Sequence, residues 1–456
     1  MSLTKRVGLV AGATALSLTG ASFGGTGETN DQDLRARIAQ MEAELAKLQA
    51  QSGEQWLTEQ RATEIRALVN DVLMDADTRA SLLQDGGTAG WDQDGFFLAS
   101  GDGNYRLDIS GLIQFRYMLN LQDDDEFVDN DTTRGGFENT RTKLIFSGNI
   151  VSPDTTYKVE GDFGQTGTMF LKDAWVRQYY DNGWHVQAGQ FKAPFLREEL
   201  VDAGMQQAVE RSFVNGVFTA DRTQGVMLGY EGEGFRFAGS FNDGGRTPNT
   251  PALAYDTEWS FDARAELKTA GEWSQFDDFS SWRSDDFGLM FGLAGHIQKD
   301  EDGTSVGGVL GTTDTEIWAV TGDVSAEFGG ANLYGAIVYA DVDDDTAAVD
   351  INPLGVVVQG GFFVTEDVEI FGRYEFGDHD IDLGGLEEDL NLLTVGVTKF
   401  WSQHNLKWTT DVGFAFDPID SVWAGLNSDL SLTGWRTDPG DEEDQVVIRT
   451  QLQLVF

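Results

Sequence analysis

The sequence contains no cysteine and only four histidines in 456 residues. Without cysteine no disulfide framework can form. The histidines show no metal-ligand spacing, and no serine-centred nucleophile motif has a partner set, so we predict no catalytic centre, no metal site and no cofactor. These histidines are His185, His296, His379 and His404.

Positive charge and long apolar runs are also scarce. The chain has 31 Lys+Arg against 76 Asp+Glu, a formal net charge of −45. Such a balance disfavours nucleic acids and anionic lipid surfaces, both of which attract positive charge. No run reaches the ~18 apolar residues that a membrane-spanning helix requires. Aromatic residues make up 11%, which argues against disorder.

The N-terminal region has three predicted parts. Lys5 and Arg6 precede an apolar run and small residues at Ala21 and Ser22, which predicts a signal peptide over residues 1–22. Residues 30–52 predict a coiled coil, and residues 53–88 a helical linker. An ordinary amphipathic helix is the alternative to the coiled coil, whose apolar seam consists of Leu34, Ile38, Met41, Leu45 and Leu48.

From residue 90 to residue 456 the helical spacing gives way to alternation with a period of two. In the first such segment, apolar residues from Tyr105 to Tyr117 alternate with polar residues such as Arg106 and Arg116. A soluble sandwich and a transmembrane barrel both need this pattern. Charged partners on the polar face, and aromatic residues at segment ends, favour the barrel. We therefore predict an all-β fold, an antiparallel transmembrane β-barrel with an N-terminal α-helical coiled-coil extension.

The C-terminal segment QVVIRTQLQLVF alternates up to its last residue. Leu452, Leu454 and Phe456 lie on the apolar face, and Gln451 and Gln453 on the polar face. We predict that this strand pairs with the first strand and closes the barrel, which removes both sheet edges. With its final aromatic residue, the segment resembles the C-terminal assembly signal of bacterial outer-membrane proteins, and Leu452, Leu454 and Phe456 are the residues that carry this likeness.

The basic residues are unevenly distributed. Twelve of the 31 fall between Arg106 and Arg222, whereas none falls between Glu301 and Gly372. Strand alternation directs many of them into the lumen, where they would favour anions. The alternative is that each pairs with a nearby acid, which leaves a balanced wall without selectivity. The candidate pore-lining and anion-binding residues are Arg106, Arg116, Arg141, Lys143, Lys158, Arg177, Lys192, Arg211 and Arg222.

Alternation lapses for about thirty residues after Gly189, which predicts a constriction loop folded into the lumen. Here the chain resembles the phosphate-selective porins O and P. The likeness lies in GQFK from Gly189 with Pro194-Phe195, in Glu210-Arg211-Ser212, in Arg222 before Gly225, and in the strands YRLDISGLIQFRY, Arg141–Gly148, EIFGRYEF and LLTVGVTKFW. It runs from about residue 95 to the end.

The resemblance implies a homotrimeric barrel of about 16 strands in the bacterial outer membrane, with a basic lumen that passes phosphate or related anions. By the same resemblance, Lys192, Arg211 and Arg222 are the loop residues of this pore. We expect a passive channel for small hydrophilic solutes, in contact with outer-membrane lipid and not an enzyme. Because acidic loops such as DPGDEED would repel phosphate, a general or cation-preferring porin is an alternative prediction. A second alternative is a barrel that anchors the envelope, with its stalk against the cell wall.

Overall fold

The computed structural model divides the chain into two units, residues 1–82 and 83–456. It describes residues 36, 38–44 and 46–47 of the first unit. Of the second it describes residues 87–456 apart from short gaps at 93–94, 124–131, 166, 253–256, 301–307, 312–314, 345–350, 381–388 and 439–443.

The described residues of the first unit are helical, and most of their side chains are exposed. Met41, on the predicted apolar seam, is 54% exposed. Its pairing with another helix stays a prediction, because Leu34, Leu45 and Leu48 lie outside the described residues. The predicted signal peptide and nearly all of the predicted linker lie outside them as well. No helix among the described residues is long and apolar enough to cross a membrane.

The described part of the second unit is built from one antiparallel sheet of 18 strands. The strands are β1 (Thr88–Asp92), β2 (Gly95–Ala99), β3 (Arg106–Leu121), β4 (Thr133–Ile150), β5 (Ser152–Asp162), β6 (Phe170–Tyr179), β7 (Trp184–Lys192), β8 (Arg222–Glu231), β9 (Phe235–Asn242), β10 (Thr257–Ala270), β11 (Gly288–Asp300), β12 (Thr315–Glu327), β13 (Ala331–Asp344), β14 (Leu354–Phe363), β15 (Val368–Asp378), β16 (Asp389–Ser402), β17 (Leu406–Ala415) and β18 (Val446–Val455).

Short helices occur only in the connections of this part. They are α1 (Arg197–Leu200), α2 (Phe213–Phe218), α3 (Ser421–Leu426) and α4 (Leu430–Thr433), with 3₁₀ turns at Ala203–Met205, Trp273–Asp277 and Val309–Gly311.

Strands β3 to β18 close into a barrel of 16 strands, as predicted. β18 pairs with β17 on one side and with β3 on the other, in a register from Val446 opposite Leu121 to Val455 opposite Leu112. The last residue completes the seam. The amide of Phe456 donates to the carbonyl of Gly111 at 3.0 Å, and the amide of Gly111 donates to the carbonyl of Phe456 at 2.8 Å.

The two faces of the barrel wall have opposite polarity. On β18, Leu452 and Leu454 are 47% and 42% exposed on the outer surface, whereas Arg449 and Gln453 are buried towards the lumen. Exposed apolar side chains recur on nearly every strand, which is the pattern of a lipid-facing wall. The predicted alternation, apolar outside and polar inside, is confirmed.

The two ends of the barrel differ in their connections. Short turns such as 180–183, 232–234 and 403–405 join strands at the end that carries Phe456, which we call the short-turn end. The opposite, long-loop end carries most of the long connections. The connection 271–287 between β10 and β11 is the exception, since it is long but lies at the short-turn end.

A hairpin that the sequence analysis missed precedes the barrel. β1 pairs with β2, and β2 pairs with the first residues of β3, beyond the end of β18. Arg106 fixes this hairpin, because its guanidinium lies 2.5 Å from the Asp92 carboxylate and 4.4 Å from the centre of the Phe97 ring. Arg106 therefore serves the hairpin at the short-turn end.

A hydrophobic core fills part of the barrel interior. It is formed by the connections 193–221 and 416–445 together with inward apolar residues of strands such as β13 and β16. Phe213 of α2 meets Trp423 of α3 edge to face, with ring centres 6.2 Å apart, and both side chains are buried. The lumen is therefore narrowed from inside, and the charged cavities lie along the wall from β4 to β10.

Candidate solute passage

Two of the cavities that described residues line lie inside the barrel. The larger, called the inner cavity, has a volume of about 1070 Å³ and reaches turn residues of the short-turn end such as Gln403. The smaller, called the outer cavity, has a volume of about 170 Å³ and reaches long-loop residues such as Gln165. Lys192 lines both cavities. The two volumes and Lys192 between them define a candidate passage.

The connection 193–221 forms the predicted constriction. It leaves the wall after Lys192, whose ammonium donates to the carbonyl of Glu199 at 2.6 Å. α2 begins after Ser212, whose hydroxyl accepts from the amide of Asn215 at 2.9 Å. Glu198 accepts from the amide of Ser212 at 2.7 Å, which ties the two halves of the connection together.

Glu210 anchors this connection to the barrel wall. Its carboxylate lies 2.7 Å from Arg141 of β4 and 3.1 Å from Arg116 of β3. Burial alone would raise the pKa of Glu210, but Arg141 and Arg116 outweigh burial and lower the pKa to about 2. Glu210 is therefore ionised at neutral pH and joins two cations of the wall.

The opposite side of the connection is held by β17. Lys407 donates to the carbonyl of Gln206 at 2.7 Å, and the amide of Val209 donates to Asp411 at 2.9 Å. Asp411 also pairs with Arg449 of β18 at 2.7 Å, and both side chains are fully buried. The constriction is thus fixed to the strands on both sides of the closing seam.

The connection 271–287 supports the constriction from the short-turn end. The amide of Phe279 donates to the carbonyl of Met205 at 3.2 Å, and Arg197 donates to the carbonyl of Phe276 at 2.6 Å. Ser280 donates to Glu369 of β15 at 3.1 Å. This inward connection was not predicted from the sequence, although its residues show no period of two.

Seven of the nine predicted cations line the two cavities of the candidate passage. Lys158 and Arg177 line the inner cavity, and Lys192 lines both cavities. Arg106 and Arg116 line neither: Arg106 fixes the hairpin, and Arg116 is buried behind the constriction. Those in the outer cavity are Arg141, Lys143, Arg211 and Arg222.

Each of the nine predicted cations has a carboxylate partner. Glu160 lies 2.7 Å from Lys143 and 2.8 Å from Lys158, and Asp173 lies 2.7 Å from Arg222. The weakest of these contacts is that of Arg177 with Glu231, at 3.8 Å. These individual contacts match the alternative prediction, in which each cation of the wall pairs with a nearby acid.

The total charge nevertheless differs between the two cavities. Among the described residues, six cations and four carboxylates line the outer cavity, namely Arg141, Lys143, Lys172, Lys192, Arg211 and Arg222 with Asp162, Glu199, Asp221 and Asp429. Six cations and seven carboxylates line the inner cavity, namely Lys158, Arg177, Lys192, Arg197, Arg236 and Arg264 with Asp173, Asp202, Glu231, Glu266, Asp277, Asp278 and Asp285. Of these two cavities, only the outer one has an excess of positive charge among the described residues.

Four of these cations were not singled out from the sequence. Arg264 could have been found by strand alternation, because it shares the inward face of β10 with Asp262 and Glu266. It pairs with Asp323 at 2.8 Å and with Glu266 at 2.9 Å. Arg236 was missed as well, and Arg197 lies in the predicted constriction loop but was not among the candidate pore residues. Lys172 has no such signal, because a bulge and not alternation places it.

Residues 114–387 match the family model described as phosphate-selective porin O and P. The match covers more than half of the chain. The chain belongs to this family. No curated protein sequence matches the porin significantly.

Solved structures agree with this fold. The anion-selective porin from Comamonas acidovorans is 14% identical, with a TM-score of 0.52 over 77% of this chain and 99% of that one. OprB of Pseudomonas putida is 11% identical, with a TM-score of 0.50 over 83% of this chain and 96% of that one. The porin forms a passive channel for solutes in the bacterial outer membrane, and its family and fold are those of a channel rather than an enzyme. Its short-turn end is accordingly the periplasmic end.

Proposed function

We propose that this porin prefers small anions, phosphate-like oxyanions among them, and that the outer cavity makes the selection. The observation that carries the proposal is the excess of six cations over four carboxylates among the described residues around this small cavity. A net positive charge between low-dielectric walls raises the local concentration of anions and repels cations. The family description points to the same class of solute.

The charge balance of the inner cavity favours a second candidate function, that of a general or weakly cation-preferring porin. Its seven carboxylates exceed its six cations, and several of the carboxylates belong to the connection 271–287. If this wider cavity controlled the current, the preference of the outer cavity would be hidden. Because the outer cavity is much smaller, we expect it to dominate.

Phosphate added to a chloride solution separates the two candidates. An oxyanion that lodges in the outer cavity should obstruct chloride, so the single-channel chloride current should fall by about half or more at millimolar phosphate. The measurement is a planar-bilayer recording at fixed chloride and fixed ionic strength. The control is the same addition of a buffer anion too bulky to enter. A current that responds equally to both anions would contradict the proposal.

The apolar seam of residues 30–52 supports a further part of the proposal, a homotrimer joined by the coiled coil. Deletion of residues 31–84 should abolish trimers on unheated gels while each barrel still conducts. If the envelope detaches and the trimers survive, the stalk acts instead as a contact with the cell wall. If the deletion changes neither property, both roles of the stalk are wrong.

A further inference from the structure

Lys172 reaches the outer cavity because of a β-bulge in β6. Glu160 of β5 pairs with Asp173 and Gly161 pairs with Leu171, so Lys172 is an extra residue without a partner in β5. Regular alternation would send Lys172 and Asp173 to opposite faces of the wall. A bulge redirects side chains locally, and here Asp173 pairs with Arg222 inside the barrel while Lys172 lines the outer cavity.

The main chain at this bulge is held firmly. The carbonyl of Lys172 accepts from the side-chain amide of Gln190 at 2.7 Å, and the carbonyl of Leu171 accepts from the same amide at 3.0 Å. The side-chain oxygen of Gln190 in turn accepts from the amide of Asn249 at 2.7 Å. The position of Lys172 is therefore set by β7 and by the connection 243–256.

Lys172 differs from the other five cations of the outer cavity. Arg141, Lys143 and Arg222 each lie within 2.7 Å of a carboxylate. Arg211 and Lys192 lie 3.2 Å and 3.5 Å from carboxylates. Lys172 is a half-buried residue. Among the described residues, its ammonium has no carboxylate within 4.0 Å and no hydrogen-bond partner.

One nearby acid interacts with Lys172 without neutralising it. Asp221 feels the charge of Lys172, but its carboxylate is already held by Arg222 at 3.1 Å. The charges of the paired cations are largely cancelled at their own positions, whereas the charge of Lys172 is not. An ammonium also has three donors, which can be offered to an oxyanion.

We propose that Lys172 is the residue that captures anions in the outer cavity and sets most of the selectivity. The inference rests on the proposed anion preference and attributes most of that preference to Lys172. The solute class is a small hydrated anion, with a phosphate-like oxyanion held more strongly than chloride because it accepts several hydrogen bonds.

The test compares K172Q with K143Q. Both substitutions remove one positive charge from the same cavity, so a selectivity that depends only on net charge would fall equally in both. Glu160 keeps Lys158 as a partner at 2.8 Å after the loss of Lys143, so K143Q leaves no carboxylate stranded. K172R keeps the charge at the bulge and serves as the conservative variant.

We expect K172Q to lower the anion-to-cation permeability ratio by about threefold or more and to remove the phosphate block. K143Q should lower the ratio by less than half as much, and K172R should keep both properties. All variants should show the same conductance in concentrated KCl, where fixed charges are screened, which establishes that the pore is intact.

Equal shifts in K172Q and K143Q would overturn the assignment, because net charge alone would then control selectivity. An unchanged ratio in K172Q, in a wild-type channel that prefers anions, would also overturn it while the proposed function survives. A wild-type channel that prefers cations would overturn both.

Discussion

Replacement of Glu210 by alanine is expected to raise the single-channel conductance and to destabilise the barrel. The carboxylate bridges Arg116 and Arg141, at 3.1 and 2.7 Å, and thereby holds the constriction against the wall. All three side chains are at least nine-tenths buried. Removing one partner of a buried ion pair leaves uncompensated charge and typically costs about 3–5 kcal/mol.

The release of this anchor should act on the passage directly. Arg141 and the neighbouring Arg211 line the outer cavity, so a loosened connection 193–221 should widen this cavity. Urea unfolding in detergent measures the stability, and planar-bilayer recordings measure the conductance. E233A removes an equal charge from an exposed turn at the periplasmic end and serves as the control. If E210A and E233A conduct alike, the anchor does not hold the constriction.

The same anchor predicts a pH dependence. The pKa of Glu210 is lowered to about 2 from an ordinary value of 4.5. A carboxyl group whose pKa is lower in the folded state stabilises that state above its ordinary pKa, and the contribution is lost as the pH falls towards the folded value. The connection 193–221 should therefore stay fixed to the wall down to mildly acidic pH and loosen only as the pH approaches 2.

The second large effect is expected at the closing seam, where G111V should prevent most barrels from forming. A Cβ atom at Gly111 would lie 2.6 Å from Cζ of Phe456 and 2.8 Å from the backbone oxygen of Lys143. The backbone on one side and the last residue of the chain on the other leave no room for it. Without this pairing the first and last strands keep open edges, which a membrane does not tolerate.

This effect is measured as the amount of folded barrel in outer-membrane fractions. The heat-dependent shift in gel mobility distinguishes folded from unfolded protein. We expect G111V to reduce it about tenfold or more. G322V is the matched control, because Gly322 also lies in a strand and a Cβ atom there would meet nothing within 4 Å. Equal yields for the two variants would show that the Gly111–Phe456 contact does not govern closure.

The barrel could be predicted because a membrane wall imposes one rule on every strand. Apolar residues must alternate with polar ones, and the last strand must pair with the first. Leu452 and Leu454 followed this rule, and their exposure on the outer surface confirmed it. The loop after Lys192 was equally visible, because it is the longest early interruption of the rule.

The missed features depend on local geometry that the alternation rule does not encode. A single bulge brings Lys172 to the lumen, and no pattern in the sequence announces it. Arg106 obeys the alternation, yet it lies beyond the end of β18 and bonds to Asp92 of a hairpin too short to show a period. The connection 271–287 folds inward through backbone contacts with residues far away in the sequence, such as Met205.

The charge of the passage could be predicted only in outline. Strand alternation identified candidate cations. The carboxylates that neutralise them come from other strands and from the constriction, as Glu210 does for Arg141. The net charge of each cavity therefore depends on which connections fold into the barrel. This dependence explains why the paired wall and the anion-selective wall could not be separated from the sequence.

The most direct test of the proposed anion preference is the reversal potential of the wild-type porin in a planar bilayer under a KCl gradient. Chloride that crosses faster than potassium makes the dilute side negative, and this is the predicted result. The sign is read at low salt, where fixed charges are weakly screened. A dilute side that becomes positive would mean that the carboxylates of the inner cavity and the mouths control the current, and would contradict the proposal.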